Sequence, residues 1–134
     1  MDKARKIIVI EDERDINNLI AYNLRKEGFV VKQVIDGIAA SAILKREHFD
    51  IVILDIMLPG IDGFDICKEL KERDDAYKTF VIVVSARTAT QDKLYAHIMG
   101  ADYYITKPFE VSSLMGVVSE LCTILEKEFL VKSP

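Results

Sequence analysis

Three four-residue runs in this chain are apolar at every position: IIVI at 7–10, IVIL at 51–54 and VIVV at 81–84. A strand with one wet face would alternate apolar and polar residues, so an unbroken run of this length reads as a strand covered on both sides. Three such strands, separated by stretches with helical periodicity, leave few architectures open. Each run also ends in polar groups: Glu11-Asp12-Glu13, Asp55 and Ser85. In a parallel sheet these ends lie side by side, where open α/β folds build their binding sites.

Strand and helix signals alternate five times along the chain. Strands are expected near 6–10, 29–34, 50–55, 80–85 and 102–106, and helices near 14–27, 37–47, 63–74, 90–99 and 111–127. The first helix carries Ile16, Leu19, Ile20 and Leu24 at helical spacing and stops at Gly28, which is free to take a positive φ. The second starts at Asp36 as N-cap and is expected to bury Ala39, Ala42 and Ile43. The fourth stops at Gly100 in the way the first stops at Gly28. This alternation implies right-handed βαβ crossovers, hence an α/β domain of (βα)5 type with a parallel sheet and helices on both faces. FVVKQVI contains Lys32 and Gln33, and DYYIT is mixed, so these two strands belong at the edges. The resulting order is 2-1-3-4-5, which is flavodoxin-like. Residues 1–127 form the expected domain, and 128–134 its C-terminal tail or the start of a linker.

At 134 residues the chain has the size of one domain with a genuine core. Its net charge is −4 and half its residues are hydrophobic, so no basic tract offers direct contact to nucleic acid. No apolar stretch approaches the ~20 residues of a membrane span, and MDKARK is not followed by a signal-peptide core. Cys67 and Cys122 are isolated, with no metal-ligand spacing, and are expected to serve as small apolar residues in a reducing, cytoplasmic setting.

The fifth strand signal, ADYYIT, is followed by Lys107-Pro108. Carboxylates facing an ammonium make a site for a hard cation and a phosphoryl group: oxygen ligands for the first, positive charge for the second. The segments IEDE (10–13), LDIMLPGIDG (54–63), SAR (85–87) and GADYYITKPF (100–109), in this order and spacing, resemble the receiver domain of two-component response regulators over nearly the whole chain. In wording they are most similar to the OmpR/PhoB subfamily.

The resemblance implies that Asp55 accepts a phosphoryl group from a sensor histidine kinase, a phosphotransfer protein or a small phosphodonor. Mg²⁺ would be held by Asp12 and Asp55 directly, by the backbone carbonyl of Met57, and by Glu11 through water. Lys107 would pair with Asp55 and then with the phosphoryl oxygens, beside a cis Lys107–Pro108 bond. Ser85 matches the switch hydroxyl and Tyr104 the aromatic that changes rotamer with it, while Met57 and Arg87 flank the phosphoryl group. The face of helix 4, strand 5 and helix 5 would change on phosphorylation. Such a domain is not an enzyme on other substrates; it carries out self-phosphotransfer and slow autodephosphorylation.

Two positions depart from the subfamily. Tyr103 stands where a second acidic residue is usual, and Val117 where an arginine of helix 5 pairs across a dimer, although Lys93 and Asp102 remain. Helix 5 is apolar beyond its core stripe of Leu114, Val118, Leu121 and Leu125. Met115, Val117, Cys122 and Ile124 widen that stripe, so helix 5 is expected to meet a homodimer partner or an effector domain. Among other readings, a haloacid dehalogenase phosphatase would need a second acid where Met57 stands. A nucleotide module would need a Gly-rich loop where EDERD follows the first strand. A phosphorylation-independent pseudo-receiver, acting as a protein-interaction module, is the alternative closest to this sequence.

Overall fold

The computed structural model describes residues 4–132. Five strands and five helices alternate: β1 (Lys6–Ile10), α1 (Arg14–Lys26), β2 (Val30–Val34), α2 (Gly37–Arg46), β3 (Ile51–Asp55), α3 (Gly63–Lys71), β4 (Phe80–Ser85), α4 (Thr90–Ile98), β5 (Tyr103–Thr106) and α5 (Val111–Lys132). A short 3-10 turn, Ala76–Lys78, precedes β4. All four strand pairings are parallel and the order is β2-β1-β3-β4-β5, the flavodoxin-like arrangement. α3 ends at Lys71, short of 74, and α5 continues to Lys132, past the expected end at 127.

The uniformly apolar strands feed two cores, one on each side of the sheet. Ile8, Ile10, Val52, Leu54, Val81 and Val83 face α2, α3 and α4, where Leu44, Phe64, Ile66 and Leu70 pack against them. Their alternates Ile7, Val9, Ile51, Ile53, Ile82 and Val84 face α1 and α5, meeting Ile20, Leu24, Leu114 and Leu121. Burying an aliphatic side chain of this size stabilises the fold by about 1.5–3 kcal/mol, so neither face tolerates a polar residue in the central strands. Asp36 accepts from the Ile38 N–H as the N-cap of α2, and Gly28 and Gly100 carry the positive φ that ends α1 and α4.

Several helix faces differ from their sequence-based assignments. α1 buries Asn17, Ile20, Ala21 and Leu24, while Leu19 is 48% exposed. The stripe is rotated because the strand ends need a hydrogen-bond donor from α1, and Asn17 supplies it. α2 buries Ala40, Ile43 and Leu44; Ala39 and Ala42 are not buried, because the helix turns its Ala40 edge to the sheet. On α5, Leu114, Val118, Leu121 and Leu125 are buried as the stripe predicts. Met115, Val117 and Cys122, however, pack partly against the domain's own core, and of the four flanking residues Ile124 alone is exposed. The width of the apolar surface on α5 is thus largely absorbed within the domain. Greater apolar exposure lies on α4, where Leu94, Tyr95 and Ile98 face outward at 57%, 47% and 68%. No described helix is long and apolar enough to cross a membrane.

Cys67 is fully buried on α3, and burial pushes its thiol up to about 11, with Lys71 opposing and Asp102 adding to the shift. Only the thiolate reacts with alkylating reagents. Native protein treated with iodoacetamide at pH 8 is therefore expected to keep Cys67 unmodified by peptide mass mapping. Rapid modification would show that α3 opens readily.

Candidate functional site

β1 and β3 are adjacent, and chain direction diverges on either side of them, so their carboxyl ends open a crevice. Glu11 and Asp12 follow β1, and Asp55 closes β3. One carboxylate oxygen from each of Glu11, Asp12 and Asp55 lies within 4.8 Å of the others. Glu11 and Asp55 are buried, at 2% and 5% exposure. Carboxylates this close repel one another, and the cluster is held by contacts that offset the repulsion.

Lys107, just beyond β5, supplies the main one. Its ammonium donates to Asp55 Oδ2 at 3.1 Å, lies 2.5 Å from Glu11 Oε1 and stands 3.8 Å from Glu13 Oε1. Burial works against the charged ammonium, yet the contacts with Glu11 and Asp55 outweigh it and hold the Lys107 pKa above that of an ordinary lysine. Lys107 therefore remains a cation. The peptide bond between Lys107 and Pro108 is cis.

Glu11 shows the opposite balance. Burial pushes its carboxyl up to about 7, Asp55's charge adds to the rise, and Lys107 and the Glu13 N–H only partly counter it. Glu13 N donates to Glu11 Oε2 at 3.2 Å. Oε1 is the one buried side-chain oxygen or nitrogen, among the described residues, with no hydrogen bond; its closeness to the ammonium is an ion pair without hydrogen-bond geometry. The Lys107 ammonium at 2.5 Å compensates this oxygen, but one ammonium faces three close carboxylates, so the cluster still gains from a further cation.

Asp55 Oδ1 accepts the Met57 N–H at 2.9 Å, which orients the carboxylate toward the crevice mouth. The Met57 side chain is exposed and, with Gly60, Asp62 and Arg87, lines an open cavity of about 500 Å³ next to Asp55. Ser85 closes β4 and is fully buried; its Oγ accepts the Arg87 N–H at 3.1 Å, and no hydrogen bond joins it to Asp55. Tyr104 donates its hydroxyl to the Arg87 carbonyl at 2.8 Å. Both polar groups of the Arg87 backbone are thus held, one by Ser85 and the other by Tyr104. The Arg87 guanidinium pairs with Asp92 on α4 at 3.8 Å. The two tyrosines of β5 divide between the sheet faces: Tyr104 packs against the α2–α4 core and Tyr103 against the α1–α5 core.

The response regulator receiver domain family matches residues 7–119 of the chain. The chain belongs to this family. It is, accordingly, a signal-transduction domain of two-component systems. The receiver domain superposes on that of the Francisella response regulator 1452 with a TM-score of 0.80, at 28% identity over 87% of this chain and 95% of that chain. DrrB, an OmpR/PhoB homologue from Thermotoga maritima, matches at 31% identity and a TM-score of 0.80, over 94% of this chain and 54% of that chain. The receiver domain of sensor histidine kinase PA1611 from Pseudomonas aeruginosa PAO1 matches at 25% identity and a TM-score of 0.78, over 89% of this chain and 98% of that chain. That structure has a magnesium ion coordinated in its active site cleft.

Two features of this receiver domain escaped sequence reasoning. Asn17 is buried in α1 and donates to backbone carbonyls at the ends of β1 and β2. Its signal was a polar residue at the spacing of Ile20, Ala21 and Leu24. The second is Asp102, whose Oδ2 accepts from Lys71 at 2.9 Å and from the Val81 N–H at 2.8 Å. Asp102 therefore ties β5 to α3 and β4 within the domain.

Proposed function

We propose that this receiver domain takes a phosphoryl group onto Asp55 and, by doing so, switches its α4–β5–α5 face. What supports the reading is the buried Asp55 carboxylate, held between the Met57 N–H and Lys107 and within 4.8 Å of the other two acids. The donor is a phosphohistidine on a sensor kinase or phosphotransfer protein, or a small acyl phosphate. An Asp55 oxygen attacks phosphorus, the bond from phosphorus to the donor breaks, and the donor leaves with the electron pair.

Three close carboxylates, two of them buried, fit a hard divalent cation. Asp12, Asp55 and the Met57 carbonyl would hold Mg²⁺ directly, with Glu11 acting through water. The ion would supply positive charge that Lys107 alone cannot, offsetting the charge that gathers around phosphorus. Lys107 moves its ammonium from Asp55 Oδ2 to a phosphoryl oxygen. Ser85 turns its hydroxyl to donate to the same group and gives up the Arg87 N–H. Tyr104 then loses the fixed carbonyl it bonds, and α4 shifts with the Arg87–Asp92 pair.

Phosphorylation adds roughly one unit of negative charge at Asp55. A complete switch from a 1:99 equilibrium requires the phosphoryl group to favour the active form by about 5.5 kcal/mol. The output surface is the outward apolar face of α4, with Leu94, Tyr95 and Ile98, and it meets either an effector domain or a second receiver. Water reaching the acyl phosphate past Met57 and Arg87 returns the domain slowly to rest. The setting is cytoplasmic.

Intact-protein mass after incubation with acetyl phosphate and Mg²⁺ tests this. One phosphoryl adduct is expected, and it is expected to vanish when a chelator removes the metal. Absence of any adduct, together with an unchanged amide spectrum on adding beryllofluoride, would overturn the proposal in favour of a domain that works by binding alone.

A further inference from the structure

The acidic cluster contains no residue from α1, yet one α1 side chain holds the main chain just before Asp12. Asn17 is 1% exposed. Its Nδ2 donates to the Glu11 carbonyl at 2.9 Å and to the Val34 carbonyl at 3.0 Å, with a longer contact of 3.4 Å to the Val9 carbonyl. Its backbone N–H donates to the Glu13 carbonyl at 2.9 Å. The Glu11 carbonyl is therefore fixed by the Asn17 side chain, while the Glu13 carbonyl is held by the first backbone turn of α1, which does not depend on the side chain at position 17.

The orientation of Asn17 is itself determined. Its Oδ1 accepts from Gln33 Nε2 at 3.0 Å, and Gln33 also donates to Asn18 Oδ1 at 2.8 Å and accepts from Arg25 Nη1 at 2.8 Å. The amide has its donor side toward three carbonyls and its acceptor side toward a donor, so a flipped amide would face oxygen with oxygen. A chain of hydrogen bonds thus runs from Arg25 on the surface, through Gln33 and Asn17, to the main chain that carries Glu11 and Asp12.

We infer that Asn17 is a positioning residue for the acidic cluster: it sets the direction in which Glu11 and Asp12 leave the end of β1, and with it the affinity of the cluster for a divalent cation. This rests on the proposed function, in which that cluster holds Mg²⁺. Repelling carboxylates drift apart unless their backbones are pinned, and a hard cation with strict octahedral demands is sensitive to such drift. Groups that orient a metal ligand without touching the metal are typically worth about 10-fold or more in affinity. Among hydrophobic helix residues at the same depth, none could do this, because none carries a donor.

Calorimetric titration of Mg²⁺ into the wild type, Asn17→Leu, Gln33→Met and Ile20→Val tests the inference, with each melting midpoint measured in parallel. Leucine keeps roughly the bulk of Asn17 and removes both donor and acceptor. Ile20→Val removes a methylene from the same buried stripe without touching a polar group, so it reports what loss of packing does by itself. Titrated well below its midpoint, Asn17→Leu is expected to bind Mg²⁺ about 10-fold more weakly. Gln33→Met is expected to weaken binding by a smaller factor, and Ile20→Val to melt lower with unchanged affinity. Wild-type affinity in folded Asn17→Leu would overturn the inference and leave Asn17 a structural residue. If that variant does not fold, Gln33→Met decides: weaker binding supports the inference and wild-type affinity overturns it. A wild type that binds no Mg²⁺ would overturn the proposed site as well, an outcome separate from variants that match a binding wild type.

Discussion

Replacing Asp55 by Asn is expected to abolish phosphoryl uptake while leaving the protein folded. An amide has almost the shape of a carboxylate, so the oxygen of the new side chain could still accept the Met57 N–H that Asp55 Oδ1 accepts at 2.9 Å. What disappears is the anionic nucleophile, since a neutral amide oxygen attacks phosphorus far more weakly than a carboxylate does. Stability is set by a different balance. Lys107 loses one anionic acceptor but keeps Glu11 at 2.5 Å, and Glu11 loses a neighbour whose charge raises its own pKa. Three close acids share one ammonium, so removing one acid relieves repulsion. The denaturation midpoint of Asp55→Asn is therefore expected at or above that of the wild type, with no adduct in the intact mass after acetyl phosphate. An adduct of unchanged yield would place the acceptor elsewhere in the chain.

The largest loss of stability is expected from Gly63→Ala. A Cβ at Gly63 would run into the Ile56 Cα and stand 3.0 Å from the Asp55 carbonyl oxygen. Both are backbone atoms, and the Gly63 N–H already bonds the Ile56 carbonyl at 3.2 Å, so neither side can give without opening the loop. The expected cost is about 3 kcal/mol, read from urea denaturation, at the upper end for overpacking. Gly37 is the informative comparison. Its Cβ would come closer still to Ile61 Cγ2, but that atom belongs to a half-buried side chain that can rotate. Gly37→Ala is therefore expected to cost less than Gly63→Ala despite the closer approach. Because the displaced atoms at Gly63 belong to Asp55 and Ile56, that variant is also expected to take up phosphoryl groups more slowly. Equal stability of Gly63→Ala and wild type would mean that the loop after β3 is far softer than its contacts imply.

The architecture was legible in the sequence because it rests on local periodicity. Unbroken apolar runs require two covered faces, the helical stretches between them require parallel crossovers, and Lys32, Gln33 and the mixed DYYIT run push two strands to the edges. The convergence of Glu11, Asp12, Asp55 and Lys107 was legible for a related reason: each follows or closes a strand, and the strand order places those ends together. Helix orientation was less accessible. Ile16, Leu19 and Ile20 offered an apolar stripe as good as the one α1 uses, and Ala39, Ala42 and Ile43 did the same for α2. Rotating a short helix by part of a turn changes little in its own periodicity, and only the needs of the neighbours decide it. For α1 the neighbour is polar, since the Glu11 carbonyl requires a donor and Asn17 turns inward to provide it, adding a second bond to the Val34 carbonyl that already accepts the Glu11 N–H. The destinations of Asp102 and of the apolar residues on α5 were decided in the same way, by Lys71 and by the domain's own core. Backbone patterning thus determined the fold and the place of the acids, while side-chain pairing between elements distant in sequence decided which helix faces turn inward and what holds the acids in position.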